Sequence, residues 1–297
     1  MNKRTLEGHT FKAISYLAAA ITLLALIGIL GRITLEALPS LSLYFIITPE
    51  SKVPGLGGGI ANAIAGTLLL SLLSTALATP LAVGTAIYLK RYAKPGTLVR
   101  TFGFLLDVLA GTPSIVLGIF GLLFLVYYLK FVTGGFSLIA GTIALTILIL
   151  PVIERAAEGA IDTVPAELEE ASYALGATKW GTVRRITLPF ALTGILTGMV
   201  LGIGRAAEES AVVILTAGYT QFLPEFKVLP REGFLCGMKI YPFQDLAAAL
   251  PITVYRSFEF PHLIPASNGF AAAFVLIVVV MLINAATRML LWRSRIG

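Results

Sequence analysis

Long apolar stretches separated by polar segments dominate the hydropathy pattern of the chain. A membrane-spanning helix needs about 20 mostly apolar residues, and six stretches are long enough. They comprise residues 11–31, 60–89, 104–129, 136–153, 187–217 and 270–291. Pro80, Pro113 and Pro189 lie within or at the ends of these stretches, where proline can kink a helix or free its carbonyl groups. The pattern predicts an all-α membrane protein with about six transmembrane helices.

The composition agrees with a membrane location. Of 297 residues, 57% are hydrophobic and 13% are charged, whereas ordinary soluble domains have about 25% charged residues. The first apolar stretch follows Lys3, Arg4 and Lys12, as a signal peptide would. It is longer than the usual apolar segment of about 7–15 residues, and no small-residue cleavage site follows promptly. We therefore expect a retained helix.

The net charge of +6 reflects membrane topology rather than a nucleic-acid partner. With the amino terminus inside, most Lys and Arg residues fall in segments on the inner side of the membrane, and such a bias in short loops sets orientation. Both termini are therefore expected in the cytoplasm. The single cysteine, Cys236, allows no internal disulfide, and His9 and His262 lie far apart. The sequence thus predicts no metal site.

We divide the chain into two parts. Residues 1–59 contain one transmembrane helix and an external segment, and residues 60–297 form a core with five transmembrane helices. Two hydrophilic stretches interrupt this core: residues 154–186, predicted to be a cytoplasmic loop, and residues 218–269, predicted to be an external loop. The external loop is too long for a simple turn, so we expect it to pack on the outer face of the bundle.

The cytoplasmic loop contains the most informative motif, VPAELEEASYALGATKWGTVRRITLP, residues 164–189. Pro165 suits the first turn of a helix, and the glutamates that follow complement its positive end. These are Glu167, Glu169 and Glu170. Gly176 is the natural residue for a left-handed cap, and Thr178 can cap a second helix. The segment predicts a helix–turn–helix on the inner membrane face, with Trp180 near the turn.

This loop resembles the EAA loop of ATP-binding-cassette (ABC) importer permeases, E-A-A-x3-G-x9-I-x-L-P. The chain has Glu170-Ala171-Ser172, then Gly176, then Ile186-x-Leu188-Pro189 at the same spacings. Ser172 replaces the second alanine, and another small residue keeps the helix surface flat. The resemblance implies a type I ABC importer permease bundle in which the short helix after Pro165 is a coupling helix. The residues implied in coupling to an ATPase are Glu170, Ala171, Gly176, Ala177 and Trp180.

Three further stretches are similar to PstA-type phosphate permeases: residues 107–121, 202–218 and 248–261. That family typically has A-L-G-E-T-A-P after an arginine. Here Arg205 and Glu209 match, while Glu208 stands where Gly is usual and Val212 where Pro is usual. The resemblance covers roughly residues 60–290 and is weakest at residues 218–244.

The resemblance implies a multi-pass protein of a prokaryotic cell membrane that works with several partners. These are a second permease subunit (PstC-type), an ATPase dimer (PstB-type), an external phosphate-binding protein (PstS-type) and membrane lipid. The chain has no G-x4-G-K-[ST] phosphate-binding loop. We therefore expect a transport subunit without catalytic residues or a cofactor of its own, with ATP and Mg bound by the partner ATPase.

The stretch IGRAAEESAVVIL, residues 203–215, carries Arg205, Glu208 and Glu209 within an apolar region. Each charge at the bilayer centre costs roughly 2.5–3.5 kcal/mol. Arg205 and Glu209 are four residues apart and are expected to share one helix face. They form either an ion pair that holds two helices together or part of a pathway for an anion, since a guanidinium group suits phosphate oxygens. The resemblance implies the pathway role.

Other polar side chains are weaker candidates for the substrate pathway. Arg155 either guides phosphate inward or is an ordinary positive anchor at the inner membrane surface. The hydroxyl groups of Thr112 and Ser114 either donate to a passing oxyanion or bond back to the preceding helical turn, and the second interpretation is slightly favoured.

Two other functions remain open from the sequence. One is an ABC permease for another oxyanion, such as sulfate or molybdate, since one arginine does not distinguish tetrahedral anions. The other is an intramembrane enzyme with Glu208, Glu209 or Asp107 as acid or base. The enzyme is disfavoured because no paired motif of Ser, His or metal ligands accompanies these carboxylates.

Overall fold

The computed structural model describes residues 3–50, 58–230 and 238–294. Helices make up most of this part of the chain. They are α1 Lys3–Ala37, α2 Leu43–Ile47, α3 Ala61–Ile87, α4 Thr97–Gly111, α5 Ser114–Gly121, α6 Lys130–Thr133, α7 Leu138–Asp162, α8 Ala166–Ala174, α9 Lys179–Thr182, α10 Leu188–Ala207, α11 Ala211–Thr216, α12 Leu250–Glu259 and α13 Ala266–Ser294. Three π-helical segments continue α3, continue α5 and join α9 to α10. They are Tyr88–Tyr92, Leu122–Tyr128 and Val183–Thr187.

The predicted bundle of about six spans is confirmed, with one span strongly bent. Within the described residues, five helices are long and apolar enough to cross a membrane. They are Phe11–Ala37, Ala61–Tyr92, Leu138–Asp162, Lys179–Ala207 and Ala266–Ala286. The pair Thr97–Gly111 and Ser114–Tyr128, bent by 97°, is apolar enough when taken together and brings the number to six when it is counted as one span. The bend falls at Thr112, which is extended, because a residue that precedes proline avoids the helical region.

Several helices differ from their predicted bounds: α1 extends to Ala37 and α4 begins at Thr97. The helix predicted for residues 136–153 runs to Asp162, so the beginning of the predicted loop 154–186 is helical. It continues because Glu154, Ala157 and Ile161 are buried in the bundle. The helix predicted for residues 187–217 is interrupted after Ala207 and resumes at Ala211.

Helix α7 forms the centre of the bundle and packs between α3 and α10. Its residues Leu145, Ile149 and Ile153 have no exposed surface. Close approach to α10 depends on glycine, because a Cβ atom built at Gly198 would lie 2.5 Å from the Ala156 Cβ. Glycine recurs at every fourth position here, at residues 194, 198 and 202, a pattern typical of tightly packed membrane helices. Gly194 lies next to Ala160 and Gly202 next to Ile153, so α7 and α10 are antiparallel.

The loop between α11 and α12 packs on one end of the bundle. It contains a two-stranded antiparallel sheet, β1 Val228–Pro230 and β2 Met238–Ile240, with Val228 opposite Ile240. After β2, the carbonyl groups of Phe243 and Asp245 accept hydrogen bonds from the first N–H groups of α7, at 2.8 Å each. The loop predicted at residues 218–269 is therefore tied to the bundle in its described part. Cys236 lies outside the described residues.

Candidate functional site

The predicted helix–turn–helix is present between α7 and α10. Helix α8 follows Pro165, and Gly176 has the left-handed backbone that its sequence position predicted, with φ +80°. The Thr178 hydroxyl accepts a hydrogen bond from the Gly181 N–H at 3.1 Å and caps α9. Gly176 and Thr178 thus cap the two helices as the sequence predicted.

Most of the predicted coupling residues lie on the surface of this turn. Glu170, Ala171 and Gly176 are exposed, Ala177 is half-buried, and 55% of Trp180 is accessible. Ser172, the departure from the EAA pattern, is half-buried instead. Its hydroxyl lies 2.9 Å from that of Thr182. The serine therefore adds a hydrogen bond between α8 and α9 that alanine would lack.

One residue of the same loop was not singled out as a site residue from the sequence. Glu169 faces inward, and its Oε1 atom accepts hydrogen bonds from Arg91 at 2.8 Å and from Thr187 at 2.6 Å. The sequence explained Glu169 only by its place in the first turn of a helix. Its contacts with Arg91 and Thr187 become apparent only in the folded structure.

Arg205 and Glu209 are brought together, though differently from the prediction. They do not share one continuous helix, because α10 ends at Ala207 and Glu209 lies in the break before α11. The two side chains nevertheless form an ion pair, 3.2 Å apart. Glu209 also accepts from the N–H groups of Ala211 at 3.2 Å and Val212 at 3.5 Å. A free helix start thus fixes the carboxylate.

Exposure differs sharply within this pair. The Arg205 side chain is 47% exposed, whereas that of Glu209 is 4% exposed. Gly202 packs on Ile149 and Ile153 of α7, so the antiparallel arrangement places Arg205 near the middle of α7. A groove of about 270 Å³ adjoins the break, lined by Ile115, Ser210, Ala211, Ile214, Ile252 and Tyr255. The arrangement places the Arg205 guanidinium group near the middle of the bundle, next to the buried Glu209 carboxylate.

Arg155 and Thr112, two of the remaining pathway candidates, have partners within the protein. Arg155 donates to Asp107 at 2.6 Å and to Glu158 at 2.8 Å, which links α7 to α4. The Thr112 hydroxyl donates to the Val108 carbonyl at 2.7 Å, as the back-bonding interpretation expects. Ser114 is half-buried at the start of α5.

A second polar cluster lies at the opposite end of the bundle from α8. The Tyr219 hydroxyl donates to the Glu50 carboxylate, Arg256 lies 3.5 Å from that carboxylate, and the Arg256 guanidinium stacks 4.0 Å from the Tyr219 ring. Burial, followed by the charge of Glu50, raises the pKa of Tyr219 to about 12. The three residues are far apart in sequence, so no local motif indicates the cluster.

The sequence and the fold are both similar to those of known transporters. A family model described as "binding-protein-dependent transport system inner membrane component" matches residues 78–293. The chain is 33% identical over 289 residues to the probable ABC transporter permease protein YqgI of Bacillus subtilis (strain 168), which covers 92% of this chain and 91% of that protein.

Two phosphate transport system permease proteins are also similar. The chain is 38% identical over 208 residues to PstA 1 of Mycobacterium tuberculosis (strain CDC 1551 / Oshkosh), covering 69% of this chain and 62% of that protein. It is 33% identical over 256 residues to PstA of Yersinia pestis, covering 86% of this chain and 79% of that protein.

Solved transporter structures share the fold. A bacterial ABC transporter involved in the import of the acidic polysaccharide alginate matches with a TM-score of 0.63 at 16% identity, covering 97% of this chain and 99% of that chain. The MetNI methionine ABC transporter, in an inward-facing conformation, matches with a TM-score of 0.54 at 22% identity, covering 80% of this chain and 94% of that chain. At these identities the likeness concerns the fold alone.

Proposed function

Because the chain belongs to the family of binding-protein-dependent transport system inner membrane components, we propose that it is a PstA-type permease subunit of an ATP-driven phosphate importer. It forms half of the transmembrane pathway. Its likeness to phosphate permeases, at 38% and 33% identity, supports phosphate over sulfate or molybdate. The observation that carries the proposal is the half-exposed Arg205 at a helix break near the middle of the bundle.

The geometry around Arg205 suits transient binding of an anion. Glu209 is buried and fixed by backbone N–H groups of α11, so it stays in place whether or not Arg205 contacts it. Arg205 is held by fewer contacts, because its side chain is half-exposed and forms one ion pair. A passing phosphate oxygen can therefore compete with Glu209 for the guanidinium group. The nearby carboxylate keeps that binding weak enough for release.

The α8–α9 turn is the proposed contact with the ATPase. Its exposed residues, Glu170, Ala171 and Trp180, form the surface on which a PstB-type ATPase dimer docks. ATP and Mg are held by that partner, and closure of the dimer is passed to the bundle as rigid-body movement. In this assembly the α8 end and both termini face the cytoplasm, and a PstC-type permease supplies the other half of the pathway.

The opposite end of the bundle, with the described residues 218–230 and 238–249, then faces outward. It is the side from which a PstS-type phosphate-binding protein delivers its ligand. This orientation follows from the excess of Lys and Arg residues on the α8 side.

Reconstitution tests this function directly. The chain is purified with its ATPase, the second permease and the binding protein, and uptake of labelled phosphate into proteoliposomes is measured with ATP inside. We expect uptake that requires ATP and the binding protein and that excess unlabelled phosphate suppresses. Uptake of labelled sulfate or molybdate, without uptake of labelled phosphate, would assign the permease to another oxyanion. Assembled complexes that transport none of these anions would contradict the proposal.

A further inference from the structure

Helix α8 is joined to the bundle in an unusual way. None of its residues is buried, so apolar packing contributes little to holding it. Glu167, Leu168 and Glu170 are all exposed. The side chains that turn inward are Glu169 and Ser172, which lie three residues apart and hence on one face. Polar contacts from these two residues therefore attach α8 to the rest of the protein.

The contacts of Glu169 reach two transmembrane helices at once. Its Oε1 atom accepts from Arg91 Nε at 2.8 Å, in the π-helical segment that ends α3, and from the Thr187 hydroxyl at 2.6 Å, next to the start of α10. Arg91 and Glu169 are mostly shielded, with side chains 17% and 13% exposed, and Thr187 is fully buried. One carboxylate oxygen thus joins α8, α3 and α10.

Arg91 extends the junction to a fourth element. Its NH2 group donates to the Ile161 carbonyl at the end of α7, at 3.0 Å. Apolar residues that include Ile87, Ile161 and Val183 pack together as a cluster in the same region. Hydrogen bonds to charged groups are stronger than neutral ones, and limited exposure to water preserves that strength.

We propose that Glu169 is the positioning residue through which movement of α8 reaches the transmembrane helices. The inference rests on the proposed function, because it assigns the path taken by the coupling movement. The junction of Arg91, Glu169 and Thr187 makes α3, α7, α8 and α10 move as one unit at this end of the bundle. Arg205 is near the other end of α10, so displacement of α8 is carried along a rigid helix to the pathway.

The second attachment of α8 has a narrower role. Ser172 contacts Thr182, which precedes α10 in the same continuous helical run, Lys179–Ala207. It therefore ties α8 to α10 alone. Among the residues that the structure describes, Glu169 is the α8 residue whose hydrogen bonds lead to α3 and, through Arg91, to α7. Loss of its charge should therefore weaken the link between α8 and these two helices.

Glu169→Gln is the decisive variant, with Glu167→Gln as its matched control. Both remove one carboxylate from the same helix, but Glu167 is exposed. The complete transporter, with both permeases and the ATPase, is reconstituted in proteoliposomes. Phosphate uptake, ATP hydrolysis and co-purification of the ATPase are measured on each preparation. We expect Glu169→Gln to lower phosphate imported per ATP hydrolysed by about tenfold, the loss typical of a charge-assisted hydrogen bond, while ATPase binding is retained.

A second pair of variants tests the hydrogen bond between Glu169 and Thr187 separately from the ion pair between Glu169 and Arg91. Thr187→Val removes the hydroxyl that joins Glu169 to α10, whereas Thr187→Ser keeps it. Uptake per ATP should fall in the first and stay near wild type in the second.

Three results would contradict the role of Glu169. They are equal uptake per ATP in Glu169→Gln and Glu167→Gln, loss of ATPase binding in Glu169→Gln, and equal effects of Thr187→Val and Thr187→Ser. Absence of phosphate uptake by the wild-type transporter would instead contradict the proposed function, so the two failures are distinguishable.

Discussion

The Glu209 carboxylate links Arg205 to the start of α11, with one oxygen 3.2 Å from the guanidinium group and the other accepting from backbone N–H groups. Because this acceptor role survives replacement by glutamine, Glu209→Gln should leave α11 in place. Substitutions at Arg205 and Glu209 can therefore distinguish a role in the substrate pathway from a purely structural ion pair.

Arg205→Lys should lower phosphate uptake at least about tenfold, since a hydrogen bond to a charged group contributes about 1.5–3 kcal/mol and lysine lacks the planar fork. Arg205→Gln should abolish uptake in complexes that still bind the ATPase. The measurement is uptake by the double variant, Arg205→Gln with Glu209→Gln. Inactive, assembled complexes support the pathway. Restored transport would mean that Arg205 only neutralised Glu209.

Gly198 should be essential for packing of α10 on α7. Gly198→Ala would place a Cβ atom 2.5 Å from that of Ala156, and overpacking of this kind costs about 1–3 kcal/mol. Gly204 is the control, because nothing lies within 4 Å of a Cβ atom built there. Both changes improve helix propensity equally. Thermal unfolding in detergent should show a lower midpoint for Gly198→Ala than for the wild type. Gly204→Ala should not lower the midpoint. Equal midpoints would show that α7 moves aside at little cost.

The turn at Gly176 depends on backbone conformation alone. Its φ is +80°, and no atom lies within 4 Å of a Cβ atom built there, so a side chain meets no neighbour. Gly176→Val should still cost about 1–2 kcal/mol in the left-handed region and should uncouple ATP hydrolysis from uptake. Gly176→Asn should be milder, since asparagine tolerates this region. Uptake per ATP in the two variants is the measurement, and equal losses would exclude a conformational cause.

Tyr219 should ionise at unusually high pH. Its raised pKa of about 12 means that the folded state holds the phenol proton while an unfolded chain, with a tyrosine pKa of about 10, releases it. The stability gained is therefore complete below pH 10 and is lost as the pH rises towards 12. Tyrosinate absorbance of Tyr219→Phe should match that of the wild type at pH 10 and fall below it only near pH 12. A difference in tyrosinate absorbance already at pH 10 would mean that Tyr219 is accessible to water.

The assigned orientation can be tested by labelling. A cysteine introduced at the exposed Trp180, in a Cys236→Ser background, should react with a membrane-impermeant reagent only in inverted vesicles. Any reaction of Cys236 in the wild-type chain should come only from the outer side. Reaction of both positions from one side would overturn the six-span topology.

Local signals predicted the spans and the turn well. Apolar stretches of sufficient length indicated the bundle, and Gly176 and Thr178 indicated the caps, because these preferences act over a few neighbouring residues. Features that depend on distant partners were not predicted. The inward turn of Glu169, for example, requires Arg91, which is far away in the sequence. The break before Glu209 was missed for another reason, because its contacts with Ala211 and Val212 are local but the apolar stretch continues through it. The repeat of Gly194, Gly198 and Gly202 was readable in the sequence and indicates the contact with α7.

The 97° bend between α4 and α5 has a consequence for how the subunit is made. In the described part of the chain, the N-cap residue Pro113 provides no side-chain acceptor for the first N–H groups of α5. Hydrocarbon offers no acceptor either, and irregular backbone at membrane depth occurs only beside protein or water. The first N–H groups of α5 in a newly inserted chain therefore need protein or water beside this bend. The stability of the subunit in the cell should depend on its association with a neighbouring subunit.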